Sequence, residues 1–182
     1  MKLYSHIIGG FGLASLANLL FGSDLWALTY IFISSTLINI VIDMGHRKLP
    51  NGRIVRSPYT HEALTCILIS LFIGYILWLL LEPVYGVSLY LSIYASALIA
   101  VSHLFGDLVT KGGIYINVGG ALHRISISTL SYRDPKLNMM FITIQIIPLA
   151  LNLITIQYNS ITEYPSYVII DKLLSIYGIT SN

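Results

Sequence analysis

Five long apolar segments, none of which contains an Asp, Glu, Lys or Arg, constrain this chain more than any other feature. Four of them, at 25–42, 63–81, 84–105 and 137–156, come close to the length of about 20 residues that a membrane-spanning helix needs. The fifth, at 7–21, is shorter and contains Gly, Ser and Asn, and small residues favour close helix packing in lipid. Together they predict an all-α integral membrane protein with about five transmembrane helices in a single domain, 1–182.

The composition excludes several other classes of protein. Of the 182 residues, 55% are hydrophobic and only 10% are charged, whereas a soluble domain usually carries about 25% charged residues. An ordinary soluble enzyme and a disordered chain are therefore excluded. No run of Lys and Arg is long enough to indicate a nucleic-acid partner. The single cysteine, Cys66, excludes an internal disulfide and every cysteine-based metal pattern.

The first segment has an alternative interpretation as a secretory signal peptide. Lys2 precedes it, and small residues at 14–17 resemble a cleavage site. Two observations favour a first span instead. The next apolar segment follows at once, and the polar His6 is an unusual start for the apolar part of a signal peptide.

The connections between the spans differ in length. Those at 22–24 and 82–83 are short, whereas those at 43–62 and 106–136 are long. Within the second long connection, two β-rich runs flank Gly119-Gly120 and predict a small cytoplasmic β-hairpin at 114–128, between helices four and five. After the last span, 164–177 is predicted to be a short interfacial helix.

The distribution of basic residues predicts the orientation in the membrane. Nine of the ten Lys and Arg fall on the side of the N-terminus and the two long connections, and only Lys172 falls on the other side. Because basic residues accumulate on the cytoplasmic side, we expect a multi-pass protein of the cell membrane. Its N-terminus and long loops would be cytoplasmic and its C-terminus outside.

The same topology places all five histidines, including His123 of the hairpin, on the predicted cytoplasmic side. Asp107 follows His103 by four residues, so the two share one helix face, and Asp43 ends the second span. Ionisable groups at membrane depth are costly and usually functional. We therefore predict one pocket that binds a divalent metal, zinc with manganese or iron as alternatives, through five ligands: His6, Asp43, His61, His103 and Asp107.

Neighbouring residues suggest what such a site would do. Glu62 and His46 are candidates for a general base, and three arginines of the long connections can bind an anionic headgroup or phosphate: Arg56, Arg124 and Arg133. Simpler roles for these residues are also compatible with the sequence. The histidines can be solvated helix-end residues, His103 and Asp107 can form a structural hydrogen bond, and the membrane orientation alone can account for the arginines.

Several of these segments carry a family resemblance over about residues 1–145. They are HIIGG at 6–10, NIVIDMGH at 39–46, RSPYTH at 56–61, SHLFGDLVTKGG at 102–113, and YRDP at 132–135 with Asn138. In these segments the chain resembles a small membrane-protein family of unknown function found in thermoacidophilic archaea and their mobile elements. That family is similar to YdjM-type inner-membrane proteins, regarded as metal-dependent hydrolases. These share a ligand order with zinc-dependent phospholipase C and single-strand nucleases: His, Asp, His, then His-x-x-x-Asp.

The resemblance implies a metal-dependent phosphoesterase, with His6, Asp43, His61, His103 and Asp107 in the order of the ligands. The sequence therefore favours a membrane-embedded metal-dependent hydrolase that acts on a lipid or another phosphoester at the cytoplasmic face. The alternative is a non-catalytic membrane protein in which the His and Asp residues form a structural metal site or a hydrogen-bonded clasp. Transport fits poorly, because the interiors of the spans hold no ionisable relay.

Overall fold

The computed structural model describes residues 1–21, 24–48, 50 and 54–162. Within this part of the chain, five helices are long and apolar enough to cross a membrane. They are α1 (Leu3–Phe21), α2 (Leu25–Asp43), α4 (Ala63–Tyr85), α5 (Leu89–Leu108) and α6 (Pro135–Thr162). The prediction of five long apolar helices is therefore confirmed. The interfacial helix predicted at 164–177 lies outside the described residues.

The turn between α4 and α5 does not lie where the sequence predicts it. The sequence pattern favours a turn at 82–83 and a fourth span beginning at residue 84, but α4 continues through Pro83 to Tyr85. The helix ends at Gly86, which adopts a φ of 62° and donates its N–H to the Glu82 carbonyl. A proline is tolerated in a spanning helix where neighbouring groups or local adjustments of the helix satisfy the backbone carbonyl that it frees. Ser88 then caps α5 by accepting the N–H of Leu91.

The first helix lies at the centre of the bundle, packed against α2, α5 and α6. Small residues make this close packing possible. A Cβ at Gly12 would collide with the backbone of Gln145 in α6, and one at Gly9 would collide with the ring of Phe141. Helices α1 and α6 run parallel, because their contacts advance together from Ser5 with Asn138 to Ser15 with Asn152.

Helices α4 and α6, the least buried of the five, present apolar side chains to the surroundings. Half of the residues in the apolar window of α1 are buried, against 22% in α4 and 17% in α6. Large side chains such as Leu68, Phe72 and Ile154 are more than half exposed. Exposure of this extent is expected where lipid, rather than water, covers the surface.

The two long connections contain short elements at one end of the bundle. In the first, strands β1 (Arg47–Lys48) and β2 (Ile54–Val55) pair antiparallel and precede the one-turn helix α3 (Pro58–His61). The sequence does not predict these three elements, which are too short to have a hydrophobic period. In the second, β3 (Ile114–Val118) and β4 (Ala121–Ile125) form the predicted hairpin. Gly119 and Gly120 form its two-residue turn, both with positive φ.

Candidate metal centre

Five of the predicted site residues meet where α2 and α5 end and where α1 and α4 begin. Asp43 is the last residue of α2, His103 and Asp107 lie in the last two turns of α5, His6 lies in the first turn of α1, and His61 ends α3. All but Asp43 are fully buried. The alternation of helix directions thus brings together residues as far apart in the sequence as His6 and Asp107.

Two imidazole nitrogens and two carboxylate oxygens face each other in the middle of this cluster. The Nε2 atoms of His61 and His103 each lie 3.5 Å from Asp107 Oδ2 and 3.8 Å from Asp43 Oδ1. The ring of His6 stacks on that of His103 at a centroid distance of 4.0 Å, and its Nε2 lies 3.2 Å from Asp107 Oδ1. Each of the two carboxylates therefore faces more than one histidine.

These four facing atoms are buried and have no hydrogen-bond partner among the residues that the structure describes. Burying polar atoms without partners costs free energy, and native proteins rarely accept that cost four times at one point. A divalent metal removes the cost, because neutral imidazole and carboxylate are its usual ligands. Three overlapping trios have ligand atoms within 4.8 Å of one another: His6, Asp43 and His103; Asp43, His46 and His61; and His61, His103 and Asp107.

A second layer of hydrogen bonds orients the histidines. Asn39 donates its amide N–H to the carbonyls of Ser35 and His6, so its Oδ1 is free to accept from His103 Nδ1 at 2.7 Å. Thr60 Oγ1 lies 2.8 Å from His61 Nδ1. With the proton on Nδ1 of His103, the lone pair of Nε2 points at the centre of the cluster, as metal ligation requires.

The other carboxylate oxygen of Asp107, Oδ1, accepts hydrogen bonds from two positively charged groups. Arg56 Nη2 donates to Asp107 Oδ1 at 2.5 Å, and the amino nitrogen of Met1 donates to the same atom at 2.9 Å. Arg56 also donates to the carbonyl of Gly113 and to Thr110 Oγ1. The sequence pattern predicts that Arg56 binds substrate and gives no sign of its pairing with Asp107. Only the fold brings the two residues together.

His46, predicted as a general base, lies beside the cluster. Its Nδ1 is 2.7 Å from the carbonyl oxygen and 3.4 Å from the carboxylate of Asp43, and its ring centroid is 4.7 Å from that of His61. Burial lowers the pKa of His61, which keeps this imidazole in the neutral form that a metal ligand needs. His46 is therefore placed either to complete the ligand set or to exchange protons next to it.

Glu62, the other predicted base, does not face the cluster. Its carboxylate accepts the N–H and the hydroxyl of Thr65 at 2.7 Å each and so caps α4. The backbone N–H of Thr65 lowers the pKa of Glu62. The side chain lines a separate cavity of about 370 Å³ with Tyr59 and Leu122. His123 also lies apart, exposed on β4 opposite Ile116.

A larger cavity of about 860 Å³ lies over the cluster. Asp43 and His46 reach it from the cluster, and all three arginines predicted to bind substrate line it: Arg56, Arg124 and Arg133. Lys2 and Lys111 line it as well, and the sequence pattern does not single them out. Their positions a few residues before the first span and after the fourth are the only signal in the sequence.

The fold and the cluster define a helical bundle suited to a membrane, with buried His and Asp side chains converging at one end. The chain belongs to the family of proteins of unknown function DUF1286, whose model matches residues 1–106, more than half of its length. The match includes His6, Asp43, His61 and His103 and ends one residue before Asp107. No curated protein and no solved structure matches the chain. The expected similarity to YdjM-type proteins and to phospholipase C finds no support in these comparisons.

Proposed function

We propose that this protein is a membrane-embedded metal-dependent hydrolase that cleaves a phosphoester. A phosphoester attached to a lipid is the favoured substrate. One observation carries the proposal: four buried, unpartnered ligand atoms face each other directly beneath a cavity lined by basic residues. Unpartnered nitrogen and oxygen atoms suit a metal, and guanidinium groups suit a phosphate. The ligand order shared with YdjM-type proteins and phospholipase C agrees with this assignment and rests on the sequence alone.

The buried side chains of the cluster would hold the metal. Asp43, His61, His103 and Asp107 would be its ligands, with His6 packed against them. A divalent ion in such a site supplies a Lewis acid that polarises a phosphoryl oxygen and activates water. Zinc suits the mixed imidazole and carboxylate set, and manganese or iron would also be accommodated.

Two further tasks fall to residues that line the cavity. Arg56 would bind the phosphoryl group next to the metal, and Arg124 and Arg133 at the rim of the cavity would bind the rest of an anionic substrate, all through charge-assisted hydrogen bonds. His46 would accept the proton of the attacking water, because donation from Nδ1 to the Asp43 carbonyl leaves Nε2 as the basic nitrogen. Glu62 is not part of this assignment because its carboxylate caps α4.

We further infer that this end of the bundle faces the cytoplasm. Lys2, Arg56, Lys111, Arg124 and Arg133 all line the cavity at this end. Basic residues of connecting segments accumulate on the cytoplasmic side of membrane proteins. A lipid substrate would reach the cavity by lateral diffusion from the inner leaflet.

The metal content of the detergent-purified protein, measured by mass spectrometry, tests the proposal. We expect one or more equivalents of metal in the wild type and a loss of metal in the His103→Ala, Asp107→Ala double variant. Asn152→Ala, which removes a buried polar group from α6 away from the cluster, is the matched control and should keep the metal. If the double variant does not fold, Asp43→Asn takes its place in the metal measurement, because Asp43 is a less buried proposed ligand.

Absence of metal from the wild type, even after reconstitution with excess zinc or manganese, would contradict the proposal. If metal is bound, release of phosphate from phosphoester lipids by the wild type and not by His46→Ala would support catalysis.

A structural clasp is the second candidate function. It is favoured by one observation: Asp107 joins α5 to Arg56 and to the amino nitrogen of Met1, so the cluster ties together several segments of the chain. A clasp predicts that chelation lowers the melting temperature while no phosphoester is turned over.

A further inference from the structure

The cavity over the cluster holds a large excess of positive charge. Five basic side chains line it, and Asp43 is the only carboxylate among the residues that line it in the described part of the chain. The basic residues come from three separate segments: Lys2 from the N-terminus, Arg56 from the first long connection, and Lys111, Arg124 and Arg133 from the second. Their convergence is a property of the fold rather than of one basic run.

Four of these five cations have no acidic partner. Arg56 pairs with Asp107, but Lys2, Lys111, Arg124 and Arg133 form no ion pair with any carboxylate of the described residues. The other acids at this end are engaged elsewhere. Asp134 accepts the N–H groups of Lys136 and Leu137 at the start of α6, and Glu62 caps α4. These four cations are therefore available to an anion from outside the chain.

The basic groups lie at two levels. Arg56 is largely buried, and its contacts with Asp107, Thr110 and Gly113 hold it beside the metal centre. Arg124 and Arg133 are exposed at the rim, each next to a tyrosine that also lines the cavity. Arg124 pairs across the hairpin with Tyr115, and Arg133 lies over the ring of Tyr132 while its Nε donates to the hydroxyl.

The amount of charge indicates how many anionic groups the cavity accepts. Because Asp107 already balances Arg56, the four unpaired cations exceed the single lining carboxylate, Asp43, by three charges. One phosphoryl group carries a charge of about −1.5 to −2 at neutral pH and three acceptor oxygens, so it balances only part of this excess. Two phosphoryl groups match the charge and also match the two levels of basic residues.

We propose that the cavity has an inner anion subsite at Arg56 and an outer one at Arg124 and Arg133, and that it takes a ligand with two linked phosphoryl groups. A diphosphate is the simplest such ligand, whether free or attached to a lipid. This inference rests on the proposed function only in that the inner phosphoryl group would lie next to the metal centre. Binding to the basic residues does not itself require the metal.

Titration calorimetry on the metal-free, detergent-purified protein in EDTA tests the two subsites. Inorganic pyrophosphate should bind about tenfold or more tightly than inorganic phosphate, because a second set of charge-assisted hydrogen bonds adds roughly 1.4 kcal/mol or more. The Arg124→Gln, Arg133→Gln double variant should lose this preference and keep the affinity for phosphate. Both residues are exposed, so the fold should survive their substitution.

Lys136→Gln is the matched control, since Lys136 is an exposed cation at the start of α6 that does not line the cavity. It should leave both affinities unchanged. Equal affinity of the wild type for the two anions would overturn the proposal. So would a preference for pyrophosphate that the double variant retains. The measurement contains no metal, so its failure would leave the metal-content test standing, and the reverse also holds.

A prenyl diphosphate added in place of pyrophosphate identifies the source of the ligand. A further gain in affinity from the prenyl chain indicates a diphosphate attached to lipid, whereas equal affinity indicates a soluble diphosphate. Either result supports two anion subsites. Failure of both diphosphates to bind more tightly than phosphate contradicts them.

Discussion

At the scale of single residues, the orientation of His103 is the most informative detail of the cluster. His103 lies in the interior of the bundle, and its imidazole can point Nε2 at Asp43 and Asp107 only if Nδ1 has an acceptor. Asn39 supplies that acceptor from α2, one helical turn before Asp43. An apolar residue at position 39 would leave the ring free to turn or to change its tautomer.

We therefore predict that Asn39→Leu lowers the affinity for metal by about 10- to 100-fold, the usual effect of losing a hydrogen bond behind a ligating histidine. Competition against a fluorescent chelator measures this affinity. Asn39→Asp keeps an acceptor for His103 Nδ1 and should restore most of the binding. Asn152→Leu makes the same change away from the cluster and should have no effect on affinity. Equal affinities for Asn39→Leu and the wild type would show that Asn39 has no part in binding.

The five predicted ligands could be grouped from the sequence because each lies near a helix end, and alternating spans bring such ends together. The contacts around these five residues could not be predicted from the sequence. Arg56 and Asp107 are 51 positions apart, and their pairing depends on how the first long connection folds back over α5. The capping role of Glu62 could not be separated from a catalytic one, because a carboxylate one residue after His61 looks equally suited to both.

At the scale of elements, the apolar segments predicted the number of helices and their cores but not all of their ends. The sequence pattern places a turn at Pro83, yet the end of α4 is set three residues later by Gly86 in the left-handed conformation. The hairpin was predicted correctly because Gly119-Gly120 is a strong local signal. Strands β1 and β2 have two residues each and depend on their neighbours for stability.

The pairing of α1 with α6 leads to a prediction about Gly12. The added methyl group of Gly12→Ala would collide with the backbone of Gln145, so the two helices must move apart. We expect a loss of about 1–3 kcal/mol in stability, typical of overpacking, seen as a lower melting temperature in detergent. Leu20→Ala, on the exposed side of the same helix, should have a much smaller effect. An unchanged melting temperature for Gly12→Ala would argue against close contact of α1 and α6.

At the scale of the whole molecule, the orientation in the membrane can be measured by labelling introduced cysteines. The chain has only one cysteine of its own, which simplifies this measurement. Cys66 is buried and should not react with a membrane-impermeant maleimide. Thr129 lies exposed in the second long connection and Glu82 lies exposed near the opposite end of the bundle. We predict that Thr129→Cys reacts only in inside-out vesicles and Glu82→Cys only in right-side-out vesicles. The opposite pattern would place the His and Asp cluster outside the cell.

The central position of α1 also has a consequence for biogenesis. This helix leaves the ribosome before the other four long helices, and two of its partners, α5 and α6, begin only at Leu89 and Pro135. Until they are made, the glycine-rich surface of α1 and polar groups such as His6 and Asn18 lack their final neighbours. Helices that insert before they associate need lipid, an insertase or a membrane chaperone to shield such surfaces. Assembly of this bundle is thus completed late in synthesis, and a nascent chain that stops before α6 would be a target for quality-control proteases.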